Sequence, residues 1–269
     1  MDRQVDCFNI PLEQAAYLEF RGANIYSVLH EAPNPIARVL LVGPFASERH
    51  FSYLPWVRWA RFLAARRIEA LRFDYRGVGE STGGFEKMSF AEWNEDVEFL
   101  AEWLRQRSPH VPLILHGLEL GAILASRTFA ADQGDALLLW SAPASANDVL
   151  RRPLSRHAFK NLYARKSASD YIKELQAHGA MEIEGYEWSD KLWQESFTIK
   201  TPVMNGQEPS ASWNDRPVKV VSLEGSPGAL LKGSAMGYVV SHNLDLNDLY
   251  ADNFQWMIKA LAVPHQERP

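Results

Sequence analysis

Glu119 stands between two glycines in Gly117-Leu118-Glu119-Leu120-Gly121, and an apolar run over residues 111–115 leads into it. A small-residue, helix-forming stretch follows at once, so the spacing predicts a sharp strand-to-helix turn. In the related pattern G-x-S-x-G, the glycines let strand and helix approach closely around one strained nucleophile. Here the central residue is a carboxylate. It can attack as a nucleophile, or take a proton as general base if burial raises its pKa towards neutrality. It can also be inert. Glutamate reaches about 1.5 Å further than aspartate, far enough to turn onto the donors that otherwise hold an oxyanion. Those donors are expected to be the backbone N–H groups of Phe45 and Leu120. The adjoining helix N-terminus favours the ionised form. The sequence leaves the active and the inert reading open.

The other residues of such a site follow in the order nucleophile, acid, histidine. Glu224, just after an apolar run ending at Leu223, stands where the acid is expected. His242 follows a weaker run, 237–240, and is expected to be the histidine; Asp215 is a fallback acid. Arg49 and His50 lie in the loop bordering the oxyanion donors and are candidate substrate contacts. His116 reads as a packed, hydrogen-bonded residue, Ser141 as a solvent-bonded serine near the rim, and Asp245 as a cap for the last helix. Arg76 could pair with Glu119, which would hold the carboxylate ionised. Trp93 and Asp96 share a helix face and read as packing that helix on the sheet. No H-E-x-x-H motif, ligand-spaced His/Asp cluster or phosphate-binding G-x-x-x-x-G-K-[ST] occurs, so neither a metal nor a cofactor is expected.

Alternating elements must position these groups. Residues 15–20 and 24–30 read as a hairpin turning at Arg21-Gly22. Strands are expected at 38–42, 68–73, 111–115, 136–140 and 218–223, with a weaker one at 237–240. Helices are expected from Pro55, over 89–107 with Ser89 as cap, over 119–131, and over 246–261. Strands alternating with helices imply a mostly parallel sheet. After Ser141 the rhythm breaks. Residues 143–201 are charged and aromatic without a clear strand, which predicts an inserted helical cap; 1–142 and 202–269 would be the two parts of the core.

The bulk numbers agree. A chain of 269 residues with 46% hydrophobic content can bury a core without a metal or disulfide, and its single cysteine, Cys7, can form no internal bridge. A net charge of −5 excludes the basic footprint of a nucleic-acid binder. The apolar runs are too short for a bilayer, which needs about 20 residues. A cytoplasmic protein with no membrane span is expected.

The stretch 39–131 resembles the serine-aminopeptidase and lysophospholipase branch of the α/β-hydrolase superfamily, carrying that branch's D-x-R-G-x-G-x-S loop as Asp74-Tyr75-Arg76-Gly77-Val78-Gly79-Glu80-Ser81. More narrowly, it is similar to the exosortase-A-system-associated hydrolases of exopolysaccharide gene clusters. Pro44-Phe45 with Glu48, Gly83-Gly84-Phe85, Trp93 with Asp96, the elbow itself and Glu182-Ile183-Glu184-Gly185-Tyr186 carry that likeness. The resemblance implies an α/β-hydrolase fold and a site under the cap. Relatives with aspartate at the elbow form an ester that a histidine-activated water hydrolyses. Two functions are therefore expected as alternatives. One is a hydrolase acting on a small acyl, ester or amide substrate through Glu119, His242 and Glu224. The other is a catalytically silent member that binds a small or acyl ligand or a partner protein. The aromatic cap also suits contact with a second copy of the chain.

Overall fold

The computed structural model describes residues 12–202, 212–224 and 245–262. The chain opens with an antiparallel hairpin, β1 (Glu13–Phe20) and β2 (Ala23–His30). Its turn places Arg21 at φ 49° and Gly22 at φ 75°, the left-handed pair that a two-residue hairpin loop requires. Next come β3 (Ala37–Val42), α1 (Arg49–Ala64), β4 (Ile68–Phe73), α2 (Phe90–Arg107), β5 (Leu113–Leu118), α3 (Leu120–Ala130) and β6 (Ala136–Trp140). The segment after β6 holds α4 (Ala146–Lys160), α5 (Ala168–His178), β7 (Ala180–Ile183), β8 (Tyr186–Ser189) and α6 (Asp190–Glu195). The chain then returns through β9 (Ser212–Trp213) and β10 (Arg216–Val221) and closes with α7 (Asn247–Leu261).

The eight strands run in the order β1-β2-β4-β3-β5-β6-β10-β9, with β4, β3, β5, β6 and β10 mutually parallel. Alternate residues of each central strand serve opposite layers. Leu40, Val42, Leu115 and Leu139 pack with Trp93, Val97 and Ile123 of α2 and α3. Val39, Leu41, Ile114 and Leu138 pack with Trp59 and Leu63 of α1 and Met257 of α7. Burial on both faces is why these strands read as continuous apolar runs rather than as alternation. This is the α/β-hydrolase architecture. Its topological switch lies between β3 and β5, where the chain leaves towards β4 on one side and β6 on the other. Crevices at such points are where open α/β sheets bind ligands.

Three expectations need correction. Pro55 does not start its helix: α1 begins at Arg49 and carries Pro55 inside it. The residues ahead of the proline are not β-branched and sustain the helix, and the Pro55 carbonyl accepts the Tyr250 hydroxyl at 2.6 Å. The inserted segment is not wholly helical, because β7 and β8 pair antiparallel through Glu184 and Gly185 at φ 51° and 85°. Their strands are four residues each and lack the usual Asn-Gly turn, so no hairpin signal is legible there. Strand β5 also runs on to Leu118, right up to the elbow. The expected strand at 237–240 lies outside the described residues.

Candidate functional site

The elbow forms as its glycines dictate. Glu119 has φ 54° and ψ −113°, a conformation costing a non-glycine residue about 1–3 kcal/mol. Its N–H donates to Trp140 O at the end of β6 at 3.1 Å and its carbonyl accepts from Ala122 N at 2.9 Å, fixing the turn between β5 and α3. A Cβ on Gly121 would overlap the carbonyl oxygens of Val42 and Gly43, and one on Gly117 would overlap Gly121 O and Ala122. Both glycines are therefore required by close backbone approach. This crossing brings Leu120, at the start of α3, beside the end of β3, from which the chain leads to buried Phe45.

The Glu119 side chain is fully buried and does not meet Arg76. Arg152 Nη1, from α4, donates to Glu119 Oε1. Arg76 instead is held by Asp96: its Nε donates to Asp96 Oδ1 at 2.5 Å and its backbone N–H to Oδ2 at 3.0 Å. Trp93 Nε1 donates to Arg76 O at 3.1 Å, so Trp93 and Asp96 do tie α2 to the loop after β4. Burial raises the Asp96 pKa to about 6 against the opposing bonds from Arg76.

A second buried carboxyl accompanies Glu119. Glu48, in the 3-10 turn Ala46–Glu48, is fully buried, and Arg156 Nη2 lies 2.6 Å from its Oε1. Arg156 also reaches Glu184: its Nε and Nη2 donate to Glu184 Oε1 and Oε2 at 3.1 and 2.7 Å. Lys160 Nζ adds a bond to Glu184 Oε1 at 3.1 Å. Burial pushes the Glu48 pKa up to about 8, reinforced by the Glu119 charge and opposed by Arg156 and Arg152. Glu48 therefore keeps its proton at neutral pH, beside an elbow carboxylate paired to a guanidinium. Phe45 packs edge-on against Phe85, Trp93 and Trp188, an apolar wall that keeps the dielectric low.

Arg49 and His50 open α1. Arg49 Nη2 donates to Asp74 Oδ1 at 2.5 Å, and partial burial with the Arg49 charge holds His50 below its ordinary pKa. Both line an open pocket at the C-terminal end of β4, together with Arg72 and Tyr53. Glu224 is exposed, beyond the end of β10, with its N–H on Ser222 Oγ at 3.3 Å. His242 lies outside the described residues. Asp215, at φ 61°, sits in the turn between β9 and β10, and Asp245 Oδ1 accepts Asn247 N at 3.0 Å at the start of α7. His116 is fully buried, accepts Trp59 Nε1 on Nδ1 at 3.0 Å, and is driven by burial to a pKa of about 3. Ser141 is buried at φ 49° with its N–H on Val221 O, not solvent-bonded as expected.

The sequence reading missed Arg152, Arg156 and Glu184 as parts of the site. One signal was present: Arg152, Arg156 and Lys160 recur every fourth residue and so share one helix face. Among the described residues no group of three or more His, Cys, Asp or Glu could hold a metal ion, and no helix is long and apolar enough to cross a membrane.

Comparison with known proteins agrees with this architecture. A sequence profile described as serine aminopeptidase, S33, matches residues 56–214. Among solved structures, Est1E from Butyrivibrio proteoclasticus with ferulic acid bound is 14% identical, over 92% of this chain and 100% of its own, at a TM-score of 0.57. A soluble variant of monoglyceride lipase from Saccharomyces cerevisiae with a substrate analogue is 16% identical, over 98% of this chain and 100% of its own, at 0.57. The α/β hydrolase GrgF from Penicillium sp. sh18 is 13% identical, over 93% and 99%, at 0.59. Identities this low establish a shared fold and nothing finer. No curated protein matches the sequence. On the profile match over more than half its length, the chain belongs to the serine aminopeptidase S33 family of α/β-hydrolases, and it carries glutamate at position 119 of the elbow.

Proposed function

We propose that this protein is a hydrolase-fold binder that performs no serine-type acyl transfer, and that Glu119 fastens residues 143–201 as a cap over the elbow. One observation carries the reading: the Glu119 carboxylate is fully buried and engaged by Arg152 of α4. Attack on an acyl carbon needs an accessible lone pair aimed at substrate. A carboxylate held by a guanidinium in a dry site is less nucleophilic, and its approach path is occupied. The ligand would be a small molecule or an acyl compound, bound by a cytoplasmic protein. The resemblance to exosortase-associated hydrolases supports a role beside exopolysaccharide assembly, and the aromatic cap supports contact with a second copy.

A second reading rests on Glu48. Two carboxyls in one buried site, one holding its proton at neutral pH and one paired with a guanidinium, form a division of labour suited to acid–base chemistry. Glu119 would attack the substrate carbon while Glu48 passes its proton to the leaving oxygen. The amides of Phe45 and Leu120 would hold the oxyanion. The intermediate would be a mixed anhydride between the substrate acyl group and Glu119, which water activated by His242, oriented by Glu224, would then hydrolyse to release the acid.

Hydrolysis of a panel of short- and medium-chain aryl esters separates the two. The expected result is no turnover above background by wild type, Glu119→Gln or Glu48→Gln, with lowered thermal stability in Glu119→Gln. Wild-type turnover that vanishes in both variants would overturn the first reading in favour of the second.

A further inference from the structure

The sheet ends on one side in β1, and no described strand pairs with its outer edge. The strand at the other end, β9, is two residues long and offers little to pair with. β1 is eight residues long and keeps unbroken register with β2. It contains no proline, lysine or bulge, the devices that usually blunt an edge. Gln14, Ala15, Ala16 and Tyr17 are all exposed, Tyr17 by 57%.

The hairpin decides which backbone groups face outward. Glu31 N–H donates to Leu12 O at 2.9 Å, one step before the Glu13–His30 pair, and the two-residue loop closes on Phe20 and Ala23. Hydrogen-bonded and non-bonded pairs alternate along an antiparallel ladder, so the even-numbered residues of β1 bond to β2. The N–H and C=O groups of Ala15, Tyr17 and Glu19 therefore point away from the sheet. On the face of the even-numbered side chains the edge borders a hollow of about 80 Å³, lined by Ala16, Leu18, Leu29, Leu71 and Trp103.

We propose that two copies of this chain pair antiparallel through β1, about a two-fold axis at Tyr17, and so join their sheets into one. The occupant of the edge is read from the strand itself, which is complementary to its own copy in this register. Ala15 stands across from Glu19 of the other copy, Ala16 from Leu18, Gln14 from Phe20 and Glu13 from Arg21. Small residues meet large ones, and opposite charges meet at both ends. Leu18 of each copy comes to lie beside Ala16 and the hollow of the other. An axis at Ala16 would instead set Glu13 against Glu19 at both ends, and one at Leu18 would shorten the ladder. The pairing offers about six backbone hydrogen bonds, from Ala15, Tyr17 and Glu19 of both strands. A contact of this extent belongs to the small, reversible class. The inference goes beyond the function proposed above and uses neither the elbow nor the cap.

Sedimentation velocity of the full chain from about 1 µM to about 1 mM tests it. A reversible monomer–dimer equilibrium is expected. Tyr17→Pro should weaken the dimer about 10-fold or more, because proline removes an outward N–H and leaves the ladder to β2 in place. Ala15→Lys should tighten the dimer and Ala15→Glu should loosen it, each by about 2- to 10-fold, since residue 15 stands across from Glu19 in both halves. Circular dichroism and thermal midpoint confirm folding. If Tyr17→Pro does not fold, the two variants at exposed Ala15 still decide. A wild type that stays monomeric throughout would overturn the proposal. So would a dimer indifferent to Tyr17→Pro, which would put the contact on another surface, or one that Ala15→Lys and Ala15→Glu shift in the same direction or not at all.

Discussion

Glu119 and Arg152 are joined by a side-chain ion pair although one lies on the elbow between β5 and α3 and the other on α4 of the segment after β6. One turn further along α4, Arg156 does the same for Glu48 and Glu184. Two guanidiniums on one helix face thus meet carboxylates from three separate parts of the chain. The contact is electrostatic in a region walled by aromatic rings, where charge left unpaired is costly.

That cost can be measured. Arg152→Met leaves the Glu119 carboxylate buried without its guanidinium. Loss of one partner of a buried pair costs about 3–5 kcal/mol, and the one-third exposure of Arg152 reduces this to about 2–3 kcal/mol. Glu119→Gln in the same chain should restore much of the loss. Urea unfolding of the two single variants and the double variant gives the coupling; additive losses would count against the pair as a latch.

Glu48 sets a dependence on pH. Its folded pKa of about 8 exceeds its ordinary 4.5, so between those values the folded state holds a proton that the unfolded state has released. Its contribution is fully present below about pH 4.5 and is lost as pH rises through 8, with a slope of at most about 1.4 kcal/mol per pH unit. Wild type minus Glu48→Gln, followed by denaturant unfolding from pH 5 to 9, should show a difference declining with pH. A flat difference would remove Glu48 from the titration.

Arg76 gives the structural contrast. Its side chain is 8% exposed and that of Asp96 fully buried, so Arg76→Ala should destabilise by about 3–5 kcal/mol. A variant of wild-type stability would contradict the buried pair.

Much of this was legible in the residues, for physical reasons. Strands buried on both faces produce apolar runs, so Ile68–Phe73 and Ala136–Trp140 were readable to the residue. Ser89 was readable as a cap because its hydroxyl accepts Glu92 N. The elbow followed from its two glycines. The partner of Glu119 did not, because an ion pair between residues 33 apart in sequence leaves no local period. Arg76 was nearer in pattern and therefore the natural guess, yet Asp96, twenty residues on, lay closer in space. Pro55 misled in a different way: the proline marks a favourable helix start, but a helix packed by Trp56, Trp59 and Leu63 tolerates it within.

The fastening of α4 to the elbow also governs how often the interior is visited by solvent. Lifting α4 would separate Arg152 from Glu119 and Arg156 from both Glu48 and Glu184 together, in surroundings that stabilise none of the released charges. Such openings should be rare, and the amide hydrogens at the start of α3 should exchange with deuterium far more slowly than those of α5, whose face is largely exposed.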